Sequence, residues 1–364
     1  MWSMLWELVE EYRQPVSTSR HDAGHSHRHG NANAAQNRQR EALRQTAQET
    51  LDLLPALLSH LSSGREAYRS QKVSFRSLAS LRPNDCPRLA SPATIKVIND
   101  DTLNVAVRLV QAARAQRHDS SLLSPRPIIV NFASHRKPGG GWLNGAMAQE
   151  EAICYRSSLA LSLNSKDYPL GLDESIYSPY ILVIRNDLAS GHLLMAPSTP
   201  PEELPVVSGI TIAALYRPAL RTIVVAEPQR RRRVHSSRSR SHSHSNSHSH
   251  SNSPLSSPTP SPSPSRRRTQ QVYARDTDRS LTKSKMRLAL RIAATNGHGM
   301  LVLGALGCGV FANPPAEVAQ CWLEVLREPE FAGNWWREVC FAVYDPKNEG
   351  NFAIFERVLA GKKV

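Results

Sequence analysis

The sequence predicts an α/β layered fold with a mainly parallel sheet, preceded by a helical segment. Three observations point there. From residue 95 onward, short apolar runs alternate with stretches of helical period. Strand-to-helix alternation of this kind places helices on the faces of a parallel sheet. Two of the strands also run straight into glycine-rich loops, and in such sheets ligands collect at the carboxyl ends of the strands.

The elements follow in order. Residues 40–61 carry Leu43, Ala47, Leu51, Leu54 and Leu58 at three-to-four spacing, which predicts a helix. Residues 95–98 read as a short strand, and Asp101 opens a helix over 102–114 with an acid at its start. A buried strand is expected at 128–133, a helix at 148–163 and a strand at 181–184. An irregular region then surrounds a low-complexity insert. Residues 281–294 are helical and end in the Asn296-Gly297-His298-Gly299 cap. A strand at 300–305, a helix at 314–327, a strand at 339–344 and a helix at 352–359 complete the pattern.

Charge is unevenly distributed. The 364 residues carry a formal net charge of +14, which would ordinarily direct attention to nucleic acid. Nine arginines and no acid fall within 230–268, so only +5 remains elsewhere. That segment and the His-rich stretch 15–37 lack the apolar residues to build a core, and both are expected to be disordered. They hold nine of the fourteen histidines; solvated linkers are the preferred reading over loose metal binding. Five scattered cysteines without a CxxC pair point to a reducing compartment, with neither a disulfide framework nor a zinc site. No apolar run approaches the roughly 20 residues that span a bilayer, and residues 1–13 lack the pattern of a secretory signal.

Two loops carry the chemistry. After the strand at 128–133 come Gly139, Gly140 and Gly141, which can reach positive φ and approach a ligand closely. Gln149, Glu150 and Glu151 follow at a helix start, where the helix dipole also favours acids for purely structural reasons. Adjacent carboxylates project about 100° apart around a helix, so the two cannot do the same job. One suits holding ligand hydroxyls and the other protonating a leaving oxygen, as cleavage of a ribosyl bond requires. The second loop, residues 304–315, exposes amides at its glycines, with Asn313 as N-cap and Pro314 as first helical residue. It reads either as a diphosphate site or as a tight strand-to-helix turn. Cys308 reads as a small filler rather than a nucleophile.

The string from Asn131 through Ser134, Gly139-Gly140-Gly141 and Gln149-Glu150-Glu151 resembles the catalytic signature of the poly(ADP-ribose) glycohydrolases. LGALGCGVFANPP resembles the diphosphate loop of their microbial type, a variant of the macrodomain, and the likeness extends to QETLDLLP, VINDDTLNVAVRLV and VCFAVYD. The resemblance implies a macrodomain-like three-layer fold with a mixed, mainly parallel sheet and an N-terminal helical extension. It divides the chain into a disordered or weakly helical segment (1–39), a helical accessory region (40–90), two catalytic parts (91–229 and 269–364) and the disordered insert (230–268).

By the same resemblance, Glu151 is the general acid and base and Glu150 holds ribose hydroxyls. Asn131, Ser134, Gly139, Gly140, Gly141, Gln149, Gly307, Cys308, Gly309, Val310 and Phe311 are substrate-binding residues. Ser134 stands where animal enzymes have asparagine. The implied activity is hydrolysis of ribose-ribose bonds in poly(ADP-ribose), with neither metal nor organic cofactor. The alternatives are a non-catalytic ADP-ribose reader and a hydrolase of mono-ADP-ribosylated proteins. Expected partners are poly(ADP-ribose) or ADP-ribosylated proteins, with no membrane and a monomeric chain. The basic insert would add a weak attraction for polyanions, which phosphorylation at its Ser-Pro pairs would offset. The compartment is expected to be intracellular, nuclear or cytoplasmic.

Overall fold

The computed structural model describes residues 28–115, 123–226 and 267–364. Residues 15–27 of the His-rich stretch and 230–266 of the insert therefore lie outside the described residues. The elements run α1 (Arg28–Ser59), β1 (Gln71–Ser74), β2 (Ile95–Ile98), α2 (Thr102–Ala115), β3 (Ile128–Phe132), α3 (Gln149–Arg156), α4 (Leu159–Ser162), β4 (Glu174–Leu182) and β5 (Val206–Ile212). After these come β6 (Leu220–Ala226), β7 (Arg267–Tyr273), α5 (Asp276–Thr295), β8 (Met300–Gly304), α6 (Pro315–Leu326), β9 (Glu338–Ala342) and α7 (Asn351–Leu359).

Seven strands form one sheet in the order β1-β4-β5-β3-β8-β9-β2. The pairs β5-β3, β3-β8, β8-β9 and β9-β2 are parallel, and β1-β4 and β4-β5 antiparallel, so the expected mixed, mainly parallel sheet is present. Strand alternation builds three layers around it. Ile128 and Val130 turn toward α5, α6 and α7, in one cluster with Met286, Trp322 and Phe355. Ile129 turns to the other face, with Leu103 and Ala106 of α2 and Ile153 of α3. The lower half of α1 forms a third cluster through Leu53, Leu54 and Leu57 against Tyr180 and Leu182 of β4. No helix among the described residues is long and apolar enough to cross a membrane.

Several elements differ from the sequence reading. Helix α1 begins at Arg28, so residues 28–39 are helical. The helix expected over 148–163 breaks at Ser157, whose extended backbone bridges Val183, while the Ser158 hydroxyl accepts the Leu182 N–H at 2.9 Å. The strand expected at 181–184 is the end of a longer one, β4, and the irregular region holds a further strand, β5. The chain around the insert is an antiparallel ribbon, β6 with β7, in which Ala226 pairs with Arg267.

Candidate active site

The site is assembled at the carboxyl ends of β3, β5, β8 and β9. Helix α3 is held there by the Gln149 side chain, whose oxygen accepts the Phe132 N–H at 2.7 Å and whose nitrogen donates to the Val130 carbonyl at 2.8 Å. The amide thus pairs with β3 much as a neighbouring strand would. It also donates to Thr102 at the start of α2 (3.1 Å). Gln149, expected to bind substrate, is fully engaged within the protein, although it borders the cavity described below.

The next two side chains diverge as their angular spacing requires. Glu150 is buried. Its carboxyl accepts the Ser134 N–H at 2.7 Å and the Asn131 Nδ2 at 3.3 Å. Desolvation pushes its pKa up to about 8 against the pull of those donors, so it holds a proton at neutral pH. Asn131 also donates to Thr211 of β5 (3.2 Å), and its Oδ1 is buried with no partner among the described residues. Glu151 accepts the Gly141 N–H at 2.8 Å and the Ala148 N–H at 3.1 Å, which fixes its carboxylate across the first turn of α3.

Gly140 lies over both acids. Its φ is +57°, and a β-carbon there would sit 2.5 Å from Glu151 Oε1 and 2.9 Å from Glu150 Oε2. Only glycine fits. Gly139 and Gly141 complete the wrap, with buried Trp142 beneath them and the Tyr155 hydroxyl donating to the Trp142 and Ala146 carbonyls. The Ser134 hydroxyl accepts the Arg136 N–H at 3.2 Å, a local turn contact.

The second loop rises beside the first. Gly307, at φ +72°, packs where a β-carbon would strike Ala214 and Asn313. Asn313 is not the N-cap of α6, which starts one residue later than expected, at Pro315. Its amide instead donates to the carbonyls of Leu215 (2.7 Å), Gly307 (3.2 Å) and Phe311 (3.3 Å), and it accepts the Tyr273 hydroxyl (2.8 Å). This side chain holds the loop open. Among the described residues the amides of Gly309, Val310 and Phe311 donate to no protein acceptor. Successive N–H groups without protein acceptors are the kind of donor set that an anion can use. The Cys308 thiol is pushed up by burial and lies 3.7 Å from the Leu306 carbonyl, as a filler would.

A cavity of about 380 Å³ adjoins both loops and extends under the ends of β8, β9 and β2. Part of its wall, Asp101, Arg156, Asp187, His192 and Tyr344, was not singled out from the sequence. Buried Arg156 pairs with Asp101, donates to Asn104 Oδ1 at 2.7 Å and to the Arg185 carbonyl at 3.2 Å. Burial, with Arg156 and Arg185 nearby, pushes His192 down to about 4, so a neutral ring faces the cavity. These residues come from four separate segments, and no local spacing links them. The Asp101 helix cap was the one visible signal.

Residues 34–186 match the family model "Microbial-type PARG, catalytic domain". The chain is similar to microbial-type poly(ADP-ribose) glycohydrolases. The matched span contains the Gly139–Glu151 loop, and the resemblance read from the sequence is borne out. Among solved structures, the poly(ADP-ribose) glycohydrolase of Thermomonospora curvata is 24% identical, with a TM-score of 0.58 over 88% of this chain and 100% of its own. The same enzyme bound to the inhibitor ADP-HPD is 25% identical (TM-score 0.57; 87% and 99% covered). The glycohydrolase of Deinococcus radiodurans in complex with ADP-ribose is 25% identical (TM-score 0.54; 82% and 96% covered). Curated proteins give no match.

Proposed function

We propose that the protein hydrolyses the ribose-ribose bonds of poly(ADP-ribose). The observation that carries this reading is the pair of adjacent carboxyl groups in different environments beneath Gly140, with the unpaired amides of Gly309 to Phe311 on the loop after the neighbouring strand β8. The amides suit a diphosphate. Glu151 then stands as general acid: the bond between the ribose C1″ and the leaving oxygen breaks, and that oxygen takes the Glu151 proton. The resulting carboxylate accepts a proton from water as the water oxygen bonds to C1″, which restores the acid. Glu150, held neutral by burial, orients the ribose hydroxyls. Asn131 and Ser134 border this region, and Phe311 packs beside the ligand. The ADP-ribose complex of the Deinococcus enzyme supports the choice of substrate.

Glu151→Gln keeps one of the two N–H contacts, through its single amide oxygen, and removes the proton donor. Turnover of poly(ADP-ribose) should fall by about 10² to 10⁴, while calorimetry should find ADP-ribose binding retained. Near-native turnover by this variant would sink the assignment. Binding of polymer by the wild type without release of ADP-ribose would instead favour the reader.

A further inference from the structure

The segment after β5 carries an exposed aromatic side chain beside the second loop. Tyr216 is 57% exposed, and its ring meets Phe311 edge-on, with centroids 5.2 Å apart and planes at 85°. The guanidinium carbon of Arg217 lies 5.5 Å from the centre of the Tyr216 ring. Among the described residues no carboxylate pairs with Arg217. The backbone presenting this group is pinned to the loop: Arg217 N–H donates to the Phe311 carbonyl at 2.9 Å, and Asn313 holds the Leu215 carbonyl at 2.7 Å. Arg217 sits at φ +46°, a conformation that costs a non-glycine residue energy and that these contacts hold in place.

The position of the patch gives it meaning. The cavity spans the sheet from β3 through β8 and β9 to β2, whereas β5 lies on the opposite side of β3. A ligand reaching from the cavity across the glycine loop to Glu151 therefore points its reacting ribose away from the cavity and toward the loop after β5. In poly(ADP-ribose) the leaving oxygen is the 2′-oxygen of another adenosine, so the bond that breaks is flanked by a second adenine and a second diphosphate. We propose that Tyr216 and Arg217, backed by Phe311, form a subsite for this leaving adenine nucleotide, an inference that rests on the glycohydrolase reading. Adenine stacks on the Tyr216 face, a contact available to any base and enhanced by the neighbouring guanidinium. Arg217 pairs with the phosphate oxygens that follow.

The test compares two substrates: long poly(ADP-ribose), and an ADP-ribose bearing a small aryl leaving group on C1″, which has no second nucleotide. Tyr216→Ala combined with Arg217→Gln should lower kcat/KM on the polymer by about tenfold or more and leave the aryl substrate unaffected. Tyr216→Phe, which keeps the ring, should retain polymer activity. Arg217→Gln alone should flatten the dependence of the polymer KM on salt. Equal losses on both substrates, or no loss on the polymer, would overturn the subsite while leaving the hydrolase reading intact. A wild type that cleaves neither substrate would overturn both.

Discussion

Glu150 and Glu151 are neighbours in the chain, yet one carboxyl is buried against a strand end and the other is held across a helix turn. Their divergence was legible from helix geometry alone. The burial that sets the Glu150 proton was not, because Asn131, Thr211 and the Ser134 amide come from other segments. That proton has a thermodynamic consequence. The folded pKa of about 8 exceeds the ordinary value of 4.5, so the native protein keeps a proton that the unfolded chain releases. The resulting stability is fully present below about pH 4.5 and is lost as the pH rises through about 8. Glu150→Gln stays neutral at every pH. Its Tm relative to wild type should therefore rise between pH 4.5 and 8, by on the order of 10 °C. Parallel differential scanning calorimetry of the two proteins checks this, and a constant difference would contradict a protonated Glu150.

At the scale of elements, helix α3 is placed by one side chain. Gln149 satisfies the last free backbone groups of β3 and thereby aims the acids that follow it. Gln149→Ala would leave the Val130 carbonyl and the Phe132 N–H without this partner, which costs about 1 to 3 kcal/mol. It should also lower kcat more than it weakens ADP-ribose binding, since small displacements of catalytic groups cost up to about 10² in rate. Denaturant melts and steady-state kinetics read the two effects; a variant as stable and as active as wild type would show that α3 is aimed by other contacts. The helices and parallel strands were readable because apolar period dominates them. Strand β4 was read only at its end and β5 not at all, because Ser175, Ser178, Pro179, Ser208 and Gly209 interrupt their apolar runs. These serines are buried at no penalty because each hydroxyl has a partner, as with Ser175 to the Thr211 carbonyl (2.8 Å) and Ser178 to Ser162 (2.8 Å). Pattern reading misses a strand whose polar residues are satisfied only by distant neighbours.

Considered whole, the molecule keeps its apolar clusters and its site within the seven-stranded sheet and the helices on its faces, and it relegates its basicity to a connection. The ribbon of β6 and β7 forms a two-stranded sheet of its own, apart from the central one, and its last pair, Ala226 with Arg267, marks where residues 227–266 leave and rejoin the fold. Because antiparallel partners at a ribbon end can be joined by a two-residue turn, Asn-Gly should replace 227–266 without altering either strand. The exchange removes seven arginines and one acid, Glu227. The sheet and both glycine loops retain their contacts, so Tm and turnover of the aryl substrate should match wild type. Turnover of long polymer should change only in its salt response, because an arginine-rich segment attracts a polyanion through charges that are screened over about 10 Å at 0.1 M salt. Measured from low to high ionic strength, the polymer KM of the shortened protein should rise less steeply than that of wild type. An unchanged slope would mean that the arginines of 230–266 take no part in capture and that the attraction resides on the folded domain, where Arg217 is pinned to the second loop.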